Sequence, residues 1–577
     1  MMELMLGNEA VARGAWEAGA TVATAYPGTP STEIIENAAL LSEFYTEWSP
    51  NEKVALEVAI GASMAGARAL CCMKHVGVNV AADPLFSAAY MGINGGLVLV
   101  CADDPGIHSS QNEQDSRYYA KSAHIPMLEP SDSAECLEFT KRAFEISEKY
   151  GAPVMVRLVT RVAHARGVTK TGKREKRALK TYRKEIDKFI MMTGFARKRH
   201  VFVEEREKRL VKDLKDLGLN RAEYADGAKI GVICSGSAYN YVKEALPNVS
   251  TLKLGVAHPL DKNMIKEFAE NVETLYIVEE LEPFIEEAVL AMGVKASGKD
   301  KTGVQGELFA GKIAELFDGK PDPGVWETPG IPARPPVLCA GCPHRAVFYV
   351  LSRLRFIVFG DIGCYTLGAL DPLNAMDSEI CMGASIGMAA GFEKARGAET
   401  AKRSVAVIGD STFVHSGVTG LINVVYNKAN TTVIILDNST TGMTGHQPNP
   451  TTGETIRGEK TVQLNIERLC EAIGVPSVHV IDPFEIHDLE SMIREETKKD
   501  GPSVIITRRP CALIDKNKKE NAFAIDKEKC VVCGACVRIG CPAITREKDS
   551  VTIDAAQCVG CGLCAKICAR SAISEVV

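Results

Sequence analysis

No stretch of the 577-residue chain approaches the ~20 consecutive apolar residues of a membrane-spanning helix, so no span is expected. The N-terminus, MMELMLGNEAVARGAWEAG, lacks the basic start and continuous apolar core of a secretory leader. A basic excess is missing too. With 67 Lys and Arg against 73 Asp and Glu, the formal charge is −6, which argues against nucleic acid as the main partner and favours a small soluble substrate. At 46% hydrophobic and 24% charged residues the composition is not that of a disordered chain, and the length allows about four domains on the ~150-residue prior. Cysteine, by contrast, is plentiful. Nineteen cysteines without an export signal point to reduced thiols and metal rather than disulfides, and to the cytoplasm of a cell short of oxygen.

Eight of the nineteen fall in the last fifty residues, as Cys530-x-x-Cys533-x-x-Cys536-x4-Cys541-Pro542 and Cys558-x-x-Cys561-x-x-Cys564-x3-Cys568. Paired zinc knuckles or a disulfide framework are the plain alternatives, but two CxxCxxC triplets exceed what a tetrahedral zinc site uses. Two-cluster ferredoxins combine three close thiolates of one run with the distant fourth of the other. On that rule Cys530, Cys533, Cys536 and Cys568 hold one [4Fe-4S] cluster, and Cys558, Cys561, Cys564 and Cys541 the second. Two departures stand out: the first run has four residues before its last cysteine where three are usual, and Ala569 replaces a usual proline.

Ahead of this tail, short apolar runs end repeatedly at Gly, Asp, Asn or Pro: 96–106, 153–158, 229–237, 275–280, 356–363, 404–410, 431–438 and 502–508. Continuous rather than alternating apolarity means that both sheet faces are covered, the pattern of parallel α/β layers. The expected order is an α/β domain at 1–165, a basic helical connector at 166–225, a second α/β domain at 226–320, a Pro-rich extended linker at 321–337, a third α/β domain at 338–515 and the cysteine-rich domain at 516–577. The connector mixes Lys and Arg with Glu and reads as a solvated helix; a nucleic-acid arm or a dock for an acidic redox protein are alternatives. An internal echo pairs Glu57-Val-Ala-Ile-Gly61-Ala62-Ser63 with Glu379-Ile-Cys-Met-Gly383-Ala384-Ser385, which suggests that the first and third layers are copies of one fold, unless these are two unrelated tight helices.

In the third layer, strand SVAVI ends in Gly409-Asp410-Ser411, and TTVIIL ends in Asp437-Asn438-Ser439-Thr440. Loops leaving neighbouring parallel strands share one crevice, so Asp410, Asn438 and a carbonyl near Thr440 can meet at a hard cation such as Mg²⁺ that also binds a diphosphate. Gly409 permits close backbone approach, and the helix after Ser411 offers N–H groups to an anion. The pair resembles the thiamine diphosphate signature, in which Gly-Asp-Gly is followed by a distant Asn; Ser411 replaces the last Gly.

The resemblance widens to the 2-oxoacid:ferredoxin oxidoreductases, on Tyr26-Pro27-Gly28-Thr29-Pro30-Ser31, the segment Gln111 to Arg117, and Cys339-Ala-Gly-Cys342-Pro-His344. It implies that Glu57 drives the tautomer of the aminopyrimidine, a plain helix acid being the alternative. It implies also that Thr29 and Arg117 touch the substrate carboxylate region, Arg117 in an ion pair with Asp115 or Glu113 being the alternative. A third, proximal cluster is implied on Cys339, Cys342, Cys364 and Cys511. His415 and His446, with His344, lie near the expected pocket and either shuttle protons or serve structure. Cys71, Cys72, Cys101, Cys136, Cys234, Cys381 and Cys470 read as small core residues.

In domain order the chain resembles the alpha subunits of indolepyruvate ferredoxin oxidoreductases, whose middle domain is transketolase C-terminal-like. That resemblance implies oxidative decarboxylation of arylpyruvates with coenzyme A, electrons leaving through [4Fe-4S] clusters to external ferredoxin, and a smaller beta subunit in a heterodimer or dimer of heterodimers. Pyruvate or branched-chain 2-oxoacids are alternative substrates, and an electron-transfer scaffold with a vestigial cofactor site is an alternative role.

Overall fold

The computed structural model describes residues 1–318, 332, 335–515 and 521–576. The linker expected at 321–337 lies mostly outside them. Two compact units result, Met1–Gly330 and Ile331–Val577.

The first unit is built on six parallel strands in the order Met127–Leu128, Val154–Val159, Leu97–Asp103, Ala69–Lys74, Val22–Ala25 and Tyr45–Trp48, with Val256–His258 added antiparallel at one edge. Every residue of Ala69–Lys74, Leu97–Asp103 and Val154–Val159 is buried, because helices cover both faces. Each Leu, Val or Met so placed contributes about 1.5–3 kcal/mol. Strand order reverses at Val22–Ala25, flanked by the strands that follow it on either side, so the crevice beyond its C-terminal end is where such sheets bind ligands. A second sheet places Thr274–Val278, Ile230–Ser235 and Ser250–Leu254 parallel, with Arg221–Glu223 antiparallel at the edge.

The basic connector differs from the solvated helix expected. Arg166–Lys170 is a strand paired with Met2–Leu6, and helix Thr193–Leu217 buries Val203, Arg206, Leu210 and Leu214. Arg206 lies in the fold because it donates to the carbonyls of Ala89 at 2.9 Å and His124 at 2.8 Å.

The second unit holds five parallel strands in the order Ile357–Phe359, Ser404–Gly409, Thr432–Asp437, Ser503–Arg508 and Ser477–Ile481. The tail forms two antiparallel pairs, Phe523–Ile525 with Ile573–Glu575 and Ile544–Arg546 with Val551–Ile553. Its Ile539, Val551, Leu563 and Ile573 share one hydrophobic core with helix His344–Leu354. The extra residue before Cys541 is taken up by a 3₁₀ turn, Val537–Ile539, closed by Gly540 at φ 67°.

The internal echo does not survive in register. Glu57–Ser63 lies inside helix Glu52–Met64, whereas Glu379–Gly383 precedes helix Ala384–Arg396. Aligned by helix start, Glu52 rather than Glu57 falls beside Ala384. Among the described residues no helix is long and apolar enough to cross a membrane.

Candidate functional site

In the second unit, Asp410 and Asn438 leave adjacent parallel strands and are 3% and 7% exposed. A Cβ on Gly409 would stand 2.7 Å from the Tyr365 ring, so glycine is needed where Tyr365 closes over the strand end. Asp410 Oδ1 accepts from the Ser411 amide at 2.7 Å, while Oδ2 is buried with no hydrogen-bond partner among the described residues. Burial first, then the neighbouring Asp437 carboxylate, pushes the Asp410 carboxyl up to about 8; the amides of Ser411, Ser439 and Thr440 oppose that rise. A buried, orphaned carboxylate oxygen in this place fits a bound cation, which would satisfy the oxygen and hold the charge. Asn438 Oδ1 accepts from the Thr440 amide at 3.3 Å, and Ser439 takes φ 60°, an uncommon conformation for a non-glycine, so this turn is tightly specified. Thr440, the expected carbonyl ligand, is buried in the same turn. Ser411 Oγ lies 3.1 Å from Thr441 Oγ1. Behind the site Asp361, absent from the sequence reading, accepts from the amides of Gly383 at 2.8 Å and Ser385 at 3.0 Å and so anchors the start of helix Ala384–Arg396.

Two cysteine loops converge here. Asn438 Nδ2 is 3.4 Å from His344 Nε2, and the Asn438 carbonyl accepts from the Cys511 amide at 3.0 Å. A Cβ on Gly442 would meet Cys364 Sγ and Asn438 Nδ2 at 3.6 Å and His446 Nδ1 at 3.8 Å. Burial pushes the His344 imidazole down to about 4, so it is neutral. His415 bonds its neighbour Ser416 through Nδ1 at 2.6 Å within a π-helical turn, Phe413–Gly417, and His446 Nδ1 is buried without a hydrogen-bond partner among the described residues.

Several of the expected thiols lie close enough to raise one another. Burial raises Cys342 to about 12 and Cys364 to about 11, Cys339 and Cys364 adding to the first and Cys511 and Cys339 to the second. In the tail Cys536 is raised by burial, then by Cys533, Cys530 and Cys568; Cys561 is raised by burial, then by Cys541 and Cys558. A hollow lined by Cys541, Cys558, Cys561 and Cys564 abuts Ala340, Gly341 and Arg345. Among the described residues no three His, Cys, Asp or Glu side chains converge tightly enough for one metal ion, whereas cubane ligands stand further apart because each thiolate binds a different iron. Arg345 lies between the Cys339 loop and the tail: it donates to the carbonyls of Cys339 at 2.9 Å and Ile539 at 3.1 Å, and also to those of Leu338 and Gly540. Of the cysteines read as core, Cys381 is exposed and does not belong to that set.

In the first unit, two expectations shift and one stands. Glu57 is not a buried carboxylate: its side chain is 44% exposed and paired with Lys53 one helical turn back. The buried acid of that helix is Glu52, 5% exposed, in its first turn, where Asn51 caps the helix by accepting from the Val54 amide at 2.9 Å. Glu52 sits so close to Gly77 that a Cβ there would stand 2.6 Å from its Cγ. The cue was legible: Pro50-Asn51 marks a helix start, so Glu52 belongs to the strand-end crevice and Glu57 to an outward turn. Arg117 is fully buried, and its guanidinium is taken up by protein acceptors. Its Nε and Nη2 donate to Asp115 at 2.8 and 2.5 Å, Nη1 to Glu279 at 2.5 Å, and Nη2 to the carbonyls of Glu280 and Glu282 at 2.8 and 3.0 Å. It joins the two sheets of this unit, and Asp115 is held below the usual carboxylate range by Arg117 and Arg157 against the pull of burial. Thr29 remains at the crevice, half-buried beyond strand Val22–Ala25.

The family model described as pyruvate flavodoxin/ferredoxin oxidoreductase, thiamine diphosphate-binding, matches residues 13–213, and that of the thiamine pyrophosphate enzyme C-terminal TPP-binding domain matches 361–507. The indolepyruvate oxidoreductase subunit IorA of Archaeoglobus fulgidus is 41% identical over 99% of this chain and 97% of its own. The IorA of Pyrococcus horikoshii is 40% identical over 94% of this chain and 91% of its own. The 2-oxoglutarate synthase subunit KorA of Methanothermobacter thermautotrophicus is 34% identical over 28% of this chain and 45% of its own.

Proposed function

The chain belongs to the IorA family of oxidoreductase subunits, and from that premise we propose that it oxidatively decarboxylates arylpyruvates, indolepyruvate among them, forming the acyl-coenzyme A and passing electrons to ferredoxin. Thiamine diphosphate, when bound, supplies the nucleophilic carbon and the electron sink for loss of carbon dioxide. Asp410, Asn438 and Thr440 would hold Mg²⁺ and through it the diphosphate. Glu52, at the first turn of its helix, would hydrogen-bond the aminopyrimidine and hold a proton there, in place of Glu57. His415 and His446, in the second unit with Asp410 and Asn438, would move protons there.

The quartets Cys339, Cys342, Cys364, Cys511; Cys530, Cys533, Cys536, Cys568; and Cys541, Cys558, Cys561, Cys564 would hold three [4Fe-4S] clusters, groups that accept electrons singly. Redox centres have no use in a plain decarboxylase. A smaller beta subunit and external ferredoxin would complete the system.

The observation that carries this reading is the shared wall: Asn438, beside the orphaned Asp410 oxygen, is bonded to both His344 and Cys511. The test is anaerobic purification with the partner subunit, followed by cofactor analysis and turnover with coenzyme A and a low-potential dye. We expect one thiamine diphosphate and about twelve iron atoms per chain, with faster turnover of indolepyruvate than of pyruvate. Equal rates on pyruvate would remove the aryl preference; absent thiamine diphosphate would leave an electron-transfer scaffold.

A further inference from the structure

Withdrawing Arg117 into the seam between two sheets leaves the first unit's crevice without the cation expected to meet a substrate carboxylate. One cation does stand there. Lys74 ends strand Ala69–Lys74, directly beside Val22–Ala25 where strand order reverses, and it is only 8% exposed. Its stem packs on the Tyr26–Ser31 turn: a Cβ on Gly28 would lie 3.2 Å from Lys74 Cβ, so a larger residue at 28 would crowd it. Its Nζ donates to the carbonyl of Ser109 at 2.5 Å, and no carboxylate among the described residues forms an ion pair with it.

The loop that supplies this carbonyl is itself fixed. Asp104 Oδ2 accepts from the Ser109 amide at 2.8 Å and Ser110 Oγ at 2.6 Å, and Oδ1 accepts from Thr160 Oγ1 at 2.7 Å. Ser109 Oγ then reaches the Thr29 carbonyl at 3.2 Å. The loop therefore brings Lys74 and Thr29 to one place. Burial alone pulls the Lys74 ammonium down to about 8, with Asp104 and Glu52 opposing from beyond ion-pair distance. An ammonium has three donors, and one backbone carbonyl uses one of them. A buried, incompletely satisfied cation is costly until an anion arrives.

We propose that Lys74 binds the carboxylate of the 2-oxoacid, with Thr29 beside it, and so does what Arg117 was expected to do. The assignment rests on the 2-oxoacid reading above. Because every 2-oxoacid carries this carboxylate, Lys74 sets affinity for the class and leaves choice among side chains to other residues.

The test uses the full chain with its partner subunit, purified anaerobically, as wild type, Lys74→Met and Lys74→Arg. For Lys74→Met, KM for indolepyruvate and for pyruvate should rise together by about tenfold to a hundredfold, the loss expected of a hydrogen bond to a charged group. KM for coenzyme A, thiamine diphosphate content and cluster absorbance should stay as in wild type, and Lys74→Arg should recover part of the affinity. An unchanged KM for 2-oxoacid overturns the assignment. So does a loss of thiamine diphosphate from Lys74→Met, which would place the ammonium on the cofactor. A wild-type enzyme that oxidises no 2-oxoacid would defeat the underlying reading instead.

Discussion

At the scale of single residues, two acids five positions apart separate the account from its nearest rival. Glu52→Gln should lower kcat by about a hundredfold or more, a general acid–base contribution, while thiamine diphosphate stays bound; Glu57→Gln should stay within about threefold, since it removes only a solvent-screened i,i+4 pair. Comparable losses in both variants would return the role to Glu57. Glu280 gives a second prediction. It is buried, accepts from the Leu308 amide at 3.1 Å, and burial pushes its carboxyl from 4.5 up to about 7. A raised carboxyl binds its proton more tightly in the folded state, so its contribution to stability is lost as pH rises from 4.5 through 7. Glu280→Gln should therefore stabilise this seam above pH 7 by at most ~3 kcal/mol and have no such effect below 4.5. Hydrogen exchange at Leu308 reads it; a variant that exchanges faster at pH 8 would contradict the sign.

At the scale of elements, the continuous apolar runs were legible as strands because a parallel sheet covered on both faces needs no polar alternation. Val22–Ala25 and Tyr45–Trp48 were not, at four residues each, although Val22–Ala25 is the strand where order reverses and the crevice opens. The Gly-Asp and Asn loops were legible from strand-end position alone. The orphaned Asp410 oxygen and the Asn438–Cys511 bond depend on tertiary placement, which no spacing encodes. Arg117 shows the same limit: its pair with Asp115 was offered as the alternative, whereas Glu279, from a different sheet, is brought against it only by the fold. The register of helix Glu52–Met64 depends on its cap. Asn51→Ala should cost about 1 kcal/mol and fray the first turn, so turnover should fall with Glu52 still present; full activity would show that the cap does not position Glu52.

At the scale of the whole molecule, the proposed function joins a cation-and-diphosphate crevice and the cysteine-rich loops into one oxidative machine. Arg345 ties the Cys339 loop to the tail through Ile539 and Gly540. Replacing it with Met would leave several buried carbonyls unpaired at about 1–3 kcal/mol each, and iron per chain should fall in Arg345→Met with thiamine diphosphate retained. The most direct measurement adds an arylpyruvate and coenzyme A to the anaerobic two-subunit enzyme, with thiamine diphosphate and iron already verified, and follows the iron-sulfur absorbance without external acceptor. Bleaching in wild type and its absence in Glu52→Gln is the predicted result; clusters that stay oxidised in wild type with every 2-oxoacid would contradict the account.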